Sequence, residues 1–557
     1  MHKWGIVLIF FVASYPLWNC ANQTTPMGGP KDTIPPIIVK SIPANKQRNY
    51  KDKEIQLVFN EAVNLNNAKE EILISPTIGK DVEYKVRKNT VTINPAKPWE
   101  NNTTYSITFR EGVRDITENN APKNLKLAFS TGPLIDSMSV KGRVKNALNT
   151  TLPEKITVAL FQSDTFNIFK HSPQYFTQIN DRAEFSLENI KAGIYYIYAF
   201  EDKNKNLKVE SRTEKFGFLS NPIELLAPIG NIEINLVNLD MRELKMNNSR
   251  NNGLQTRIKF NKSISTYTLR SENNNQLIHS FGDDQSEVVM YNPTIIKDSL
   301  RLYLFAQDSI STIVDTTIYI KQVKENLIRG DFTAKAGGIK YNSKIKTLTQ
   351  NLVLSKPIKY LNYDSISIKI DSAHTIPVTA KDFHYDSANR KLTLTKEIPP
   401  DTLFPKQQIE VKVQPQIRRT PTVQPELVFS KSSIISVEAD TLKMVKYIID
   451  EPKKEQLGTL LIETKTEAPN FIIQLITPNG TLVEEVKSVT KYTFENLPAA
   501  NYKLRVIIDR NNNGQWDPGN YYNKEEPEPT WYYQTQDKKF EFPIRANWEL
   551  GPIMLIF

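Results

Sequence analysis

Glu54-Ile55-Gln56-Leu57-Val58-Phe59 is a short stretch in which apolar side chains recur at every second position. The same period appears in residues 89–93 and 391–395. This spacing places alternate side chains on one buried face of a β-strand. Clusters of turn-forming residues separate such stretches, and the 3.6-residue period of amphipathic helices is nearly absent. The sequence therefore predicts an all-β chain of tandem β-sandwich domains.

The first residues have the pattern of a secretory signal. Lys3 precedes an apolar run from Gly5 to Leu17, in which only Ser14 is polar. A run of about 12 apolar residues is typical of a signal peptide, whereas a transmembrane helix needs about 20. We therefore expect residues 1–19 to be a signal peptide, and no later segment is long and apolar enough to cross a bilayer.

Cys20 is the only cysteine in the chain of 557 residues. Its place three residues after Leu17 resembles the lipobox of bacterial lipoproteins, and the bulky Trp18 and Asn19 resemble the boxes of Bacteroidetes. The resemblance implies an acyl chain such as palmitate on Cys20 and anchoring in the outer membrane, on either its periplasmic or its surface face. The alternative is a free thiol, which would be a liability in an oxidising compartment. Residues 20–35, rich in Thr, Pro and Gly, then form a flexible tether.

The length of the chain limits the number of domains, and its charge limits the classes of partner. Without disulfides, stability must come from hydrophobic cores, and the length allows about five sandwiches of roughly 100 residues each. The net charge of +10 favours anionic partners such as lipid head groups or polysaccharides. The charges are scattered and form no basic stripe, which argues against nucleic acid as a partner.

Residues 36–133 carry four landmarks of a known domain. These are residues 58–62, 72–76, 104–107 and 129–131. They resemble the strands of the bacterial Ig-like domain found in surface-layer and cell-wall proteins. A fainter copy is expected in residues 326–440.

Two other segments repeat each other. Residues 187–206 and 494–514 share their order of residue types, which argues for duplication. Both resemble the transthyretin-like or carboxypeptidase-regulatory β-sandwich, whose signature is Leu-Pro-Ala-Gly-x-Tyr. The resemblance implies such sandwiches at 134–239 and 441–557, with a β spacer domain at 240–325.

One loop has the spacing of a calcium site. Oxygen donors occur at alternate positions around Gly514, and calcium prefers about six to eight oxygen ligands. The candidate ligands are Asp509, Asn511, Asn513, Gln515 and Asp517. Asn520 occupies the position of the expected bidentate glutamate, so Glu525 or Glu526 would have to fold back. The alternative is a turn whose Asn and Asp side chains accept hydrogen bonds from their own backbone.

The related loop after Asp202 has Asn204, Asn206 and Glu210 at the corresponding positions. Leu207 replaces the glycine of the first loop. We therefore expect this loop to bind calcium more weakly or not at all.

Aromatic residues crowd the same end of the chain. Trp516, Tyr522, Trp531 and Tyr533 are candidate binding residues, which if exposed would stack on sugar rings or contact a protein. If buried, they belong to the core and rim of the last sandwich. Three or more coplanar and exposed rings would favour glycan binding.

Catalysis finds little support in the sequence. The histidines fall in different domains or on separate strands, and neither a nucleophile elbow nor a phosphate-binding loop is present. Two catalytic carboxylates that are far apart in the sequence would form no local motif, so an envelope hydrolase is the third alternative. We therefore predict a non-enzymatic outer-membrane lipoprotein that acts as a scaffold, an adhesive subunit or an accessory of an outer-membrane β-barrel complex. The second alternative is a carbohydrate-binding lipoprotein.

Overall fold

The computed structural model describes residues 32–557, except for 80, 123–124, 154, 163–164, 253, 273–275, 293–298, 322–329, 343–344, 372, 406–423 and 452–456. The predicted signal peptide, Cys20 and most of the tether lie outside the described residues. Within this part of the chain, none of the helices has the length and apolarity to span a bilayer. The fold is all-β, as predicted, and consists of five consecutive β-sandwich units.

The first unit contains nine strands and one helical turn. They are β1 (Ile38–Ile42), β2 (Ile55–Phe59), β3 (Val63–Leu65), α1 (Ala68–Glu71), β4 (Leu73–Ser75), β5 (Val82–Arg87), β6 (Thr90–Pro95), β7 (Thr104–Thr108), β8 (Val113–Asp115) and β9 (Lys126–Ser130). The strand orders are β1-β2-β6-β5, β3-β8 and β4-β7-β9. Ile55, Leu57 and Phe59, the apolar set of the opening stretch, are fully buried in its core.

The second unit contains eight strands. They are β10 (Met138–Asn146), β11 (Ile156–Phe161), β12 (Tyr175–Gln178), β13 (Glu184–Ile190), β14 (Gly193–Glu201), β15 (Phe216–Phe218), β16 (Ile223–Leu225) and β17 (Ile229–Leu236). One sheet has the order β13-β10-β17, in which β10 and β17 are parallel. The other has the order β12-β11-β14-β15, with β16 also paired to β14.

The third unit, predicted only as a β spacer, is a seven-stranded sandwich. Its strands are β18 (Met246–Asn251), β19 (Gln255–Phe260), β20 (Thr266–Ser271), β21 (Ile278–Phe281), β22 (Glu287–Tyr291), β23 (Ser299–Gln307) and β24 (Ile313–Lys321). The sheets have the orders β18-β19-β22-β21 and β20-β23-β24. With the strands lettered A to G, these are ABED and CFG, the arrangement of constant-type immunoglobulin domains.

The fourth unit contains eleven strands and three helical turns. They are β25 (Ala334–Ala336), β26 (Lys340–Asn342), β27 (Thr347–Leu354), β28 (Ile358–Leu361), a 3₁₀ turn (Tyr363–Ser365), β29 (Ile366–Lys369), β30 (Thr375–Pro377), a 3₁₀ turn (Ala380–Asp382), β31 (Phe383–Asp386), β32 (Lys391–Glu397), α2 (Pro400–Leu403), β33 (Glu426–Phe429), β34 (Ile434–Ser436) and β35 (Val445–Ile448). The orders β25-β27-β32-β31, β28-β34 and β29-β33-β35 reproduce those of the first unit. The additions are β26 on β27 and β30 on β29.

The predicted end of this unit at residue 440 is wrong. β35 pairs with β33 along its whole length, and Ile449 lies in the fourth core. The boundary therefore lies after Ile449. β33 occupies the place that β7 has in the first unit, so the unit still needs β35 as its last strand.

The fifth unit repeats the second. Its strands are β36 (Leu457–Lys465), β37 (Phe471–Ile476), β38 (Leu482–Lys487), β39 (Lys491–Pro498), β40 (Ala500–Ile508), β41 (Thr530–Tyr532), β42 (Phe542–Ile544) and β43 (Glu549–Ile556). The orders β39-β36-β43 and β38-β37-β40-β41, with β42 on β40, match the second unit strand for strand, including the parallel β36–β43 pair.

The repeated sequence signature forms the same turn in both units. The Tyr195 hydroxyl donates to the Lys191 carbonyl, and the Tyr502 hydroxyl donates to the Pro498 carbonyl, each at 2.8 Å. Both rings are buried. The signature tyrosine therefore closes the connection between two strands while its ring enters the core.

Candidate functional site

The Asp509 loop satisfies its own hydrogen bonds. The Asp509 carboxylate accepts the backbone N–H groups of Asn513 and Gly514, at 3.1 and 2.8 Å. The Asn511 side-chain oxygen accepts the Asn513 N–H, and that of Asn513 accepts the Gln515 N–H. Gly514 has a φ of +76°, the left-handed conformation that glycine adopts readily. The loop has the geometry of consecutive Asx turns.

Asp517 lies across the loop from the two asparagines. Its Oδ2 accepts hydrogen bonds from the side-chain amides of Asn511 and Asn513. The five predicted ligand residues thus share one loop. Among the residues that the structure describes, however, no group of three His, Cys, Asp or Glu side chains is placed to hold a metal ion. Calcium binding at this loop stays a prediction.

Glu528 closes the loop and was missed in the sequence. Its carboxylate accepts the N–H groups of Arg510 and Asp517, at 2.7 and 3.1 Å, and burial raises its pKa. Glu525 and Glu526 do not turn back into the loop, since Glu525 pairs with Asn520 through the backbone and Glu526 reaches the second unit. Ten residues lie between Asp517 and Glu528, so the spacing of the loop residues did not indicate this contact.

The related loop of the second unit has the same arrangement. The Asp202 carboxylate accepts the N–H groups of Asn206 and Leu207, and that of Glu214 accepts the N–H of Lys203. Leu207 has a φ of +59°, so it adopts the conformation of Gly514 in spite of its side chain. A buried Asp and Glu therefore organise both loops.

The hydrogen bonds of Asp509 and Glu528 already close the Asp509 loop. Removing calcium with a chelator should therefore change the stability of this loop little. We expect that adding EGTA to the purified protein shifts the melting temperature of the C-terminal unit by less than about 2 °C. Differential scanning calorimetry with and without calcium measures this shift. A larger shift that disappears in an Asp517→Asn variant would instead show a structural calcium ion.

The segment after the loop lies against the second unit. The Tyr521 ring packs among four aromatic rings of that unit, with centroids 5.2 to 6.2 Å away. These rings belong to Phe169, Tyr198, Phe216 and Phe218. Burial raises the pKa of the Tyr521 hydroxyl. Trp516 belongs to the same apolar cluster, and its indole N–H donates to the Glu528 carbonyl at 3.0 Å.

Hydrogen bonds surround this aromatic contact. The Ser220 N–H donates to the Glu526 carboxylate at 2.7 Å, and the Thr530 hydroxyl donates to the Ala147 carbonyl. Arg505 donates to the Leu148 carbonyl at 3.2 Å. The fifth unit thus contacts the second across about 300 residues of sequence, and we call this contact the closure interface.

The third unit takes part in the same contact. The buried Asn520 side chain donates to the Ile310 carbonyl at 2.9 Å, and Ile310 lies in the same apolar cluster as Trp516. The Tyr522 hydroxyl donates to the Met241 carbonyl at 3.0 Å. Three units therefore meet around the segment from Trp516 to Thr530.

The predicted aromatic binding residues do not form one exposed platform. Trp531 and Tyr533 pack on the core of the C-terminal unit, where their rings contact Phe557 and Phe542 at 6.0 and 5.9 Å. Tyr522 is the most exposed of the four, with 56% of its surface accessible. Since three exposed rings were required for glycan stacking, this arrangement favours a structural role for the cluster.

A second interface joins the third and fourth units through Arg390. This side chain is 7% exposed, and its guanidinium donates to Ser280 Oγ at 2.8 Å and to the Gly282 carbonyl at 2.7 Å. It also donates to the carbonyls of Phe281 and, at 2.9 Å, Leu354. Arg390 therefore bonds to three acceptors in the third unit and one in its own unit, and no sequence pattern indicated this role.

The first and second units also share hydrogen bonds. The Thr77 N–H donates to the Gln174 carbonyl at 2.9 Å, and the Phe176 N–H donates to Ser75 Oγ at 3.2 Å. The first two units are thus bonded to each other through backbone and side-chain groups.

A comparison with protein families finds a match in the first unit. Residues 32–131 match the bacterial Ig-like domain family. This confirms the resemblance seen in the sequence for that part of the chain. A comparison with curated proteins finds no match.

Solved structures align with the chain only loosely. The major pilin subunit BcpA of Bacillus cereus aligns at 10% identity over 76% of this chain and 99% of its own, with a TM-score of 0.13. The S-layer protein rSbsC(31–844) aligns at 11% identity over 91% and 68%, with a TM-score of 0.15. Dimeric latent PorU from Porphyromonas gingivalis aligns at 9% identity over 68% and 43%, with a TM-score of 0.20.

Proposed function

We propose that this protein is a rigid multidomain scaffold or adhesive subunit of the bacterial cell envelope, held in the outer membrane by a lipid on Cys20. The observation that carries the proposal is the closure interface. By packing Tyr521 into the second unit, the chain fixes the relative positions of three units. A fixed array of sheets presents its faces and edge loops to partners in a constant geometry.

The two repeated units fit this role. Their strand order supports a transthyretin-like or carboxypeptidase-regulatory relationship. In the fifth unit the carboxylates of Asp509 and Glu528 accept backbone N–H groups, as those of Asp202 and Glu214 do in the second. Carboxylates used in this way hold a loop in shape and are not free to act on a substrate. This supports a binding or structural role over a hydrolase.

Glycan capture is the weaker proposal. Trp531 and Tyr533 pack on the C-terminal core and Trp516 in the closure interface. Tyr522 is exposed but its hydroxyl is bonded to Met241. The scaffold proposal therefore explains the same aromatic residues without a sugar ligand.

The test is purification of the native protein from detergent-solubilised envelope. We expect the intact mass to include acyl chains on the mature chain that begins at Cys20, and we expect a stoichiometric outer-membrane β-barrel protein to co-purify. A lipid-anchored scaffold stays beside its membrane partner, whereas a chain without acyl groups is released from the membrane.

The matched control is Cys20→Ser, which removes the acceptor sulfur and leaves every described residue unchanged. This variant should lose the acyl mass, leave the membrane fraction and recover less of the barrel partner. A wild-type protein with no acyl chains would contradict the anchor. A lipidated protein that purifies alone would contradict the barrel complex.

A further inference from the structure

β24 is the outermost strand of its sheet, with β23 as its partner. It pairs with β23 through nine consecutive residues without a shift in register, from Ile313 opposite Gln307 to Lys321 opposite Ser299. Within the described residues, no strand pairs with its other side. Apart from the Lys321 carbonyl, which accepts a hydrogen bond from the Asn251 side chain at 2.9 Å, this straight edge presents its outward backbone N–H and C=O groups to another strand.

The other edge strands in the described part of the chain are protected. Each of them is six residues or shorter, or has an irregularity in its pairing. β5, for example, has six residues and carries charges at Glu83, Lys85 and Arg87. Short, bulged or charged edges discourage pairing with another chain. β24 lacks the bulge and the shortness and contains no proline. It carries two exposed charges of opposite sign, Asp315 and Lys321.

The outer face beside this edge has the composition of an interface. Arg301 lies between two tyrosine rings, with its guanidinium carbon 5.2 Å from the Tyr303 centroid and 5.7 Å from that of Tyr319. Ile313 and Tyr319 are 55% and 64% exposed. Tyrosine and arginine are enriched in protein interfaces, and stacking on arginine limits the motion of the tyrosine rings.

We propose that β24 pairs antiparallel with β24 of a second copy of this chain, around a two-fold axis at Ile318. In this register Asp315 faces Lys321 of the second copy, and Lys321 faces Asp315. Directly opposed residues of an antiparallel pair lie on the same face, so the two opposite charges meet twice. On the inner face, Ile318 meets its own copy and extends the core of the sheet.

Only this register matches the charges. With the axis moved by one residue to Thr317, Asp315 faces Tyr319 and Lys321 faces Ile313. With the axis at Tyr319, Lys321 faces Thr317 and Asp315 faces no residue of β24. The positions of one acidic and one basic side chain therefore select a second copy, in one alignment, over an unrelated strand.

The pairing joins seven residues of each copy, which is small for a stable dimer. We therefore expect weak association in the micromolar range, which becomes effective when lipid anchors concentrate the protein on a membrane. The joined sheet has the order β20-β23-β24-β24-β23-β20. This inference concerns self-association and does not depend on the barrel partner proposed above.

Sedimentation velocity of the mature chain with Cys20→Ser, at concentrations up to about 200 μM, tests the pairing without a lipid. We expect a reversible monomer–dimer equilibrium. Asp315→Lys and Lys321→Asp should each weaken dimerisation at least about tenfold, since each creates two like-charge contacts. The double variant should restore dimerisation, because the charges are exchanged.

The control is Lys85→Glu in β5, which changes an exposed edge charge by the same amount and should leave association unchanged. Circular dichroism and melting temperature establish that each variant is folded. A wild-type chain that stays monomeric at all concentrations would overturn the proposal. Dimerisation that ignores the single reversals, or that the double variant does not restore, would overturn this register.

Discussion

Replacing Tyr521 with alanine is expected to open the closure interface and destabilise it by about 2–4 kcal/mol. The ring fills a site among Phe169, Tyr198, Phe216 and Phe218, and truncating a buried aromatic side chain leaves a cavity that its neighbours fill only in part. Small-angle X-ray scattering should show a larger radius of gyration. Limited proteolysis should cut the variant faster between the fourth and fifth units.

Two variants separate the ring from its surroundings. Tyr521→Phe keeps the ring in the aromatic cluster and should stay closed. Tyr522→Ala removes the neighbouring, exposed ring and its bond to Met241, so it should cost only about 1 kcal/mol. If Tyr521→Ala scatters like the wild type, the closure interface does not hold the units together and the scaffold proposal loses its main support.

The closure interface could not be predicted from the sequence, whereas the strands and the repeat could. The alternation in residues 54–59 revealed the strands, because burial of one face is a local property of the chain. The shared order of residues 187–206 and 494–514 revealed the repeat, and in both units the tyrosine of this segment bonds to a carbonyl only four residues away. The packing of Tyr521 depends on four rings more than 300 residues earlier, and no periodicity reports such a contact.

The sequence predicted only the residues of the candidate site that lie close together in the chain. Asp509 and Asp517 were found because they share a loop with fixed spacing. Glu528 was missed, since the segment that carries Tyr521 lies between it and the loop. The late boundary after Ile449 has a similar cause, because β35 can be assigned only through its partner β33.

Arg390→Met is expected to be the second severe substitution, with a cost of about 3–5 kcal/mol to the joined third and fourth units. Methionine fills much of the same volume, but it leaves Ser280 Oγ and the carbonyls of Phe281, Gly282 and Leu354 without their charged donor. A buried acceptor that loses its hydrogen-bond partner cannot bond to water instead, so its desolvation penalty is no longer offset. In calorimetry we expect the third and fourth units of the wild type to melt in one transition, and those of the variant to melt earlier and in separate transitions.

Arg390→Lys tests whether charge or geometry matters at this position, and Arg143→Ala is the control at an exposed arginine. Arg390→Lys keeps the charge, but a single ammonium cannot replace a planar fork that reaches four acceptors, so it should recover less than half of the loss. Arg143→Ala removes an exposed ion pair with Glu184 and should leave the melting temperature nearly unchanged. If Arg390→Met melts like Arg143→Ala, the third and fourth units are held by apolar contacts such as Tyr291 with Val437, and the guanidinium is dispensable.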